Sequence, residues 1–91
     1  MKRYREKLDV VEAIQFTSSN DIPKILDWMN GGGCKVVFSP DELSLKIETP
    51  RGHGTIILGD WIIKDKDGEF HLYESYVFEQ IYEEVPYEYP Y

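Results

Sequence analysis

An α+β fold is predicted: a mostly antiparallel sheet of about five or six strands carrying one main helix, with a short C-terminal helical turn. Three observations predict it. Asp67-Gly68 lies between two β-rich runs and is the strongest hairpin signal, because Gly accepts the positive φ of a tight turn and Asp tolerates it. Leu43, Leu45 and Ile47 alternate with Ser44, Lys46 and Glu48, the period of two of a strand with one wet face. Ile22, Ile25, Leu26 and Met29 recur at i, i+3, i+4 and i+7, which lays one apolar helical stripe against a sheet. A chain of 91 residues has room for one domain, and 42% hydrophobic content is enough to pack its core. That domain is placed at residues 1–85, with residues 86–91 as an extended acidic and aromatic tail.

Residues 8–16 read as the first strand, since β-branched and aromatic residues dominate and neither Gly nor Pro interrupts them. Val10, Ile14 and Phe16 share one face with Glu12, and Val11 and Ala13 share the other with Gln15. Apolar residues on both faces predict a central strand, in which Glu12 or Gln15 would need polar partners. Asn20 is the expected cap of the helix that follows, Pro23 is tolerated in its first turn, and Asn30-Gly31-Gly32-Gly33 ends it. Residues 34–38 and 43–49 are the next two strands, joined by a turn with Pro40 at its second position. Residues 50–54 are read as a connection. The runs 55–64 and 69–72 then form the Asp67-Gly68 hairpin, with a bend or bulge at Leu58-Gly59-Asp60. Residues 73–80 carry a helical pattern, and residues 81–85 return as a closing strand.

Net charge is −7, and it is unevenly placed. Lys2, Arg3, Arg5 and Lys7 gather against Glu6 alone, so the remainder of the chain is strongly acidic. Such a body repels nucleic-acid phosphates and attracts basic partners at low salt, while the basic segment offers a local phosphate contact. The single Cys34 cannot close an internal disulfide, and no apolar run approaches the roughly 18–20 residues that cross a bilayer. A cytoplasmic setting is therefore expected, without nucleic acid or membrane as partner. His53, His71 and Cys34 stand apart in the sequence and reach no metal-ligand spacing, so no metal and no cofactor is expected. Asp65-Lys66-Asp67-Gly68 opens like a calcium loop but lacks the later ligands. No carboxylate pair or Cys–His pair stands out, which predicts a protein that is not an enzyme.

Tyr4-Arg5-Glu6-Lys7, then Val10-Val11-Glu12-Ala13-Ile14-Gln15-Phe16, then Gly59-Asp60-Trp61-Ile62-Ile63-Lys64 with Gly68-Glu69-Phe70 and Phe78-Glu79, together resemble a family of small proteins encoded by bacteriophages and prophages. That family's pattern runs Tyr-Arg-Lys-Lys-Pro, Val-Glu-Ala-x-Gln-Phe/Trp, Gly-Asp-Trp/Tyr-Ile-Ile-Lys and Gly-Glu-Phe. Leu8 stands where the family has Pro, and Glu74-Ser75-Tyr76 replaces its Lys-Pro-Asp. The resemblance implies a phage accessory protein in the cytoplasm of the bacterial host and brings no reaction with it. The expected function is inhibition of a host protein or defence complex through an acidic surface that meets a basic one. Two alternatives are an oligomeric sponge for a signalling nucleotide, with aromatic residues on the base and Arg5 and Lys7 on phosphate, and a phage structural protein. Candidate binding residues are Tyr4, Arg5, Lys7, Glu12, Gln15, Trp61, Lys64, Tyr87 and Tyr89, and a homodimer through an exposed strand edge is a further expectation.

Overall fold

The computed structural model describes residues 11–83. Within them the chain forms β1 (Glu12–Gln15), a 3₁₀ turn (Ser19–Asp21), α1 (Ile22–Asn30), β2 (Lys35–Ser39), β3 (Ser44–Thr49), β4 (Gly52–Ile57), β5 (Trp61–Lys64), β6 (Phe70–Tyr73) and α2 (Ser75–Ile81). The class is α+β, as expected, but the strands make two sheets and not one. Both are three-stranded and antiparallel, in the orders β1-β5-β6 and β2-β3-β4.

The division falls at Leu58-Gly59-Asp60, which is not a bulge within one hairpin. There the chain leaves β4, paired to β3, and enters β5, which pairs with β1 and β6. Polar and backbone contacts fix the crossing. Asp60 Oδ2 accepts the Ile57 amide at 3.0 Å, the Gly59 amide donates to Phe16 O at 2.7 Å, and the Phe16 amide donates to Asp60 O at 2.9 Å. The hairpin read from Asp67-Gly68 is present, with Trp61 opposite Tyr73 and Lys64 opposite Phe70. Gly68 has a φ of 82°, the left-handed value the turn requires.

Among the described residues β5 is the middle strand of its sheet, while β1, expected to be central, lies at the edge. Central placement follows burial on both faces, and it is the neighbouring Ile62 and Ile63 of β5 that are both buried, whereas Glu12 is exposed. Ile62 joins Phe16, Ile25, Met29, Leu45, Ile47 and Ile56 in one cluster, so the core lies between the two sheets and α1. Ile63 is buried outside that cluster, on the opposite face of β5, the face on which Trp61 meets the buried Phe78 of α2. An aromatic stack fastens that layer: Trp61 lies flat on Phe78 with centroids 4.0 Å apart, and Phe78 contacts Tyr82 at 5.0 Å.

Ser18, not Asn20, caps the helical segment. Its Oγ accepts the Asn20 amide at 3.2 Å, while Asp21 Oδ2 accepts the amides of Thr17 and Ser18 at 2.7 and 3.1 Å. Ile25 and Met29 of the expected stripe are fully buried, but Leu26 is exposed, and Trp28 contributes instead through an edge-on contact with Phe70 at 5.2 Å. Leu43 does not join Leu45 and Ile47 in the core. It stays in the turn before β3 with a φ of 48° and is exposed, while Ser44 is buried. Gly52-His53-Gly54, expected as a connection, begins β4, because the β3–β4 hairpin turns on only Pro50 and Arg51. The tip of Leu72 lies over Gly54, where a Cβ would come within 2.7 Å of its Cδ1. Ile81 ends α2 and does not open a strand. Tyr82 caps α2 and Glu83 follows it outside any strand, so the expected closing strand does not form there; residues 84–85, the basic segment and the tail at 86–91 lie outside the described residues.

Candidate functional site

Two hairpins bring polar side chains together that are far apart in sequence. The outer edges of β4 and β6 border a cleft of about 640 Å³, lined by His53 and Thr55 on one side and His71, Leu72 and Tyr73 on the other. Arg51, Asp60 and Glu74 also contribute to its lining. Arg51 in the β3–β4 turn meets Glu69 just before β6, with Nη2 2.8 Å from Oε1, and so ties the two hairpins. Asp65 closes the β5–β6 turn: its Oδ1 accepts the amides of Asp67 and Glu69 at 2.9 Å each, and its Oδ2 lies 2.9 Å from His71 Nε2.

The hydrogen bond with His71, followed by that from the Glu69 amide, holds the Asp65 carboxyl below the usual carboxylate range. Asp65, Glu69 and His71 share one face of the hairpin, and one ligand atom of each lies within 4.8 Å of the others. The donor set suits a divalent cation in chemistry, yet each carboxylate already has a partner, Asp65 in the turn and Glu69 in Arg51. The Cys34 thiol faces Gly32 O at 3.9 Å, and burial raises its pKa. Among the described residues no Ser, Thr or Cys side chain hydrogen-bonds to His53 or His71, so the cleft offers charged and aromatic contacts without a paired nucleophile and base.

The candidate residues that are described fall into two cross-strand pairs. Glu12 is opposite Lys64 and Gln15 is opposite Trp61, and the two pairs point to opposite faces of the β1-β5-β6 sheet. They therefore do not form one site. Glu12 is exposed, and with Lys64 it lines a small hollow of about 260 Å³. Lys64 Nζ sits 5.6 Å from the Phe70 ring centroid, a cation–π contact. Gln15 Nε2 donates to Gly59 O at 3.0 Å and helps fix the crossing between sheets. Trp61 is occupied by its stack on Phe78. Tyr4, Arg5, Lys7, Tyr87 and Tyr89 lie outside the described residues.

The sequence reading chose none of Arg51, Glu69 and His71 as a binding residue: it weighed His71 only as a metal ligand and met Glu69 only within the Gly68-Glu69-Phe70 motif. The signal was available in the register: an Asp67-Gly68 turn sets residues 65 and 69 opposite one another, and residue 71 follows 69 on the same face. The remaining electrostatic feature is the outer surface. Glu12, Asp27, Asp41, Glu42, Glu48, Asp67, Glu74, Glu79 and Glu83 are all exposed. Among the described residues only Glu69 pairs with a Lys or Arg, and only Asp65 with a His.

Comparison with protein-family models, with curated proteins and with solved structures finds no match to this chain. Among the described residues no helix is long and apolar enough to cross a membrane.

Proposed function

We propose that this chain is a non-enzymatic accessory protein, of the kind bacteriophages encode, that inhibits a host protein or defence complex in the bacterial cytoplasm by occupying a basic surface on it. The observation that carries the reading is the set of exposed carboxylates without cationic partners: Asp41, Glu42, Glu48, Glu74, Glu79 and Glu83 have no Lys or Arg within ion-pair distance among the described residues. A surface whose negative charge was neutralised locally would exert little attraction on a partner, whereas unpaired carboxylates sum to a field that steers basic surfaces and fades with salt. The experiment is capture from bacterial lysate on the immobilised full-length chain at low salt, followed by a salt step and mass spectrometry of the eluate. The reading expects a host protein with a basic face to be retained and then released by salt. Retention of nothing, or of a partner that salt does not release, contradicts it.

A second reading, sequestration of a signalling nucleotide, draws on the cleft, where Phe70 and Tyr73 stand near Arg51, His53 and His71. Asp60 and Glu74 line the same cleft and Glu69 already holds Arg51, an arrangement that repels phosphate. A thermal-shift panel of cyclic and linear nucleotides separates the two readings, since only the second expects stabilisation.

A further inference from the structure

We propose that the cleft between β4 and β6 receives an extended segment of a partner protein as an added strand, with a Lys or Arg at the segment's N-terminal end. The segment's charge rests on the acidic-surface reading above; its pairing rests on the two sheet edges alone.

In an antiparallel ladder a residue turns both its amide and its carbonyl toward the neighbouring strand or both away from it, and the two kinds alternate. Ile57 donates its amide to Asp60 Oδ2 and accepts the Asp60 amide at its carbonyl, each at 3.0 Å, so it turns away from β3. Thr55 and His53, at alternate positions back along β4, turn away with it. On the other hairpin the Asp65 amide donates to Glu69 O at 2.9 Å, which makes those two a bonded pair, and Ile63 with His71 the next. Phe70 and Leu72, which alternate with His71 and Tyr73, therefore turn away from β5. Among the described residues no turn, loop or side-chain hydrogen bond reaches the amide or carbonyl of His53, Thr55, Phe70 or Leu72, and all four residues line the cleft.

Two contacts set these edges side by side. Arg51, just before β4, meets Glu69, just before β6, at 2.8 Å, and at an equal distance further along each chain Gly54 lies under the tip of Leu72. The edges thus run in the same direction with residue 54 level with residue 72, and their outward groups interleave. Thr55, Leu72, His53 and Phe70 follow one another down the cleft from alternate sides. A strand's own amides and carbonyls also point to alternate sides, so consecutive residues of a segment antiparallel to both edges meet these groups in turn. Gly54 is opposite Ile47 and Leu72 opposite Ile62, both members of the core, so their contact forms the floor of the cleft beneath the two edges.

Charge sets the polarity of the occupant. Asp60 and Glu74 line the end where β4 and β6 finish, one row beyond the pair Trp61 and Tyr73. Neither is paired with Lys or Arg among the described residues, whereas Arg51, at the opposite end, is held by Glu69. The unbalanced charge of the lining is therefore two carboxylates, at the end where an antiparallel segment places its N-terminal residues. A Lys or Arg there complements them, while main-chain pairing supplies the binding along the rest of the cleft.

The test titrates the labelled full-length chain at low salt with the synthetic peptide acetyl-Lys-Val-Thr-Val-Thr-Val-amide, reading amide chemical shifts and amide exchange. Saturable binding is expected to slow exchange of the His53, Thr55, Phe70 and Leu72 amides. The same peptide N-methylated at its four central residues keeps every side chain and loses its donors, and is expected to bind roughly ten-fold more weakly or worse. Acetyl-Val-Thr-Val-Thr-Val-Lys-amide, with the charge at the other end, is expected to bind roughly three-fold more weakly than the first, and Glu74→Gln to narrow that difference. Equal binding of the parent and N-methylated peptides, or no saturable binding up to about 1 mM, overturns the added strand. Binding that salt releases, with shifts spread over the exposed carboxylates and none at the four amides, also overturns it and upholds the acidic-surface reading. Protection of the four amides at equal affinity in low and high salt supports the added strand and counts against that reading.

Discussion

The β1-β5-β6 sheet and the β2-β3-β4 sheet have the same number of strands and the same antiparallel pairing, yet they face solvent differently. The first is covered on both faces, for its central strand buries Ile62 in the core and Ile63 on the side where Trp61 stacks on Phe78 of α2. The second is covered once. Leu45, Ile47 and Ile56 turn inward, while Lys35, Val37, Lys46, Glu48, Thr55 and Ile57 stand on an exposed outer face. The difference separates scaffold from surface: one sheet buries both faces of its central strand, while the other exposes a face of mixed charge on which Lys35 and Lys46 surround Glu48.

The contrast is broken or sharpened first by truncation. Ile62→Ala and Ile63→Ala are expected to destabilise by about 2–4 kcal/mol each, since each leaves a cavity, one on either side of β5. Val37→Thr, on the open face of the other sheet, is expected to stay within about 0.5 kcal/mol. Urea denaturation measures all three, and a loss at Val37 equal to that at Ile63 would abolish the distinction between the sheets.

The seam where the sheets touch gives the next effect. Gly54→Ala places a methyl group within 2.7 Å of Leu72 Cδ1, the far end of a side chain that can turn aside, and is expected to cost about 1 kcal/mol, the low end for overpacking. Urea denaturation that reads a loss of about 3 kcal/mol or more would show instead that packing leaves Leu72 no other rotamer to take.

The smallest effect belongs to the turn before α1. Hydrogen bonds from Thr17, backbone first and then side chain, hold the Asp21 carboxyl below the usual carboxylate range. Because its folded pKa lies beneath the unfolded one, the stabilisation is complete above about pH 4 and is lost as pH falls through the folded value. Asp21→Asn is expected to cost about 0.5–1 kcal/mol at neutral pH and to flatten the acid limb of the stability curve. Thermal denaturation between neutral and acidic pH reads both.

Local features were legible in the sequence and distant ones were not. Asp67-Gly68 announced its hairpin because a two-state backbone preference lies in the residues themselves. The alternation in β3 gave the inward Leu45 and Ile47 for the same reason, though Leu43, one step into a left-handed turn, escaped the pattern. What could not be read was which strands meet. β1 pairs with β5 across most of the chain, and nothing within Glu12–Gln15 names that partner. Leu58-Gly59-Asp60 reads equally as a bulge or as a passage between sheets, and hydrogen bonds to Phe16 and Gln15 decide it. The candidate residues of β1 and β5 came from a motif and not from a register, so Glu12 with Lys64 and Gln15 with Trp61 ended on opposite faces.

The claim on which the account depends is that unpaired carboxylates make this surface attractive to a basic partner. Its most direct test is calorimetric titration of the full-length chain with the host protein it captures, at about 50 mM and about 500 mM salt, alongside the triple variant Glu74→Gln, Glu79→Gln, Glu83→Gln. The account predicts that high salt weakens Kd at least roughly ten-fold and that the variant binds more weakly and with a shallower salt dependence. An affinity that neither salt nor loss of those charges changes would contradict it.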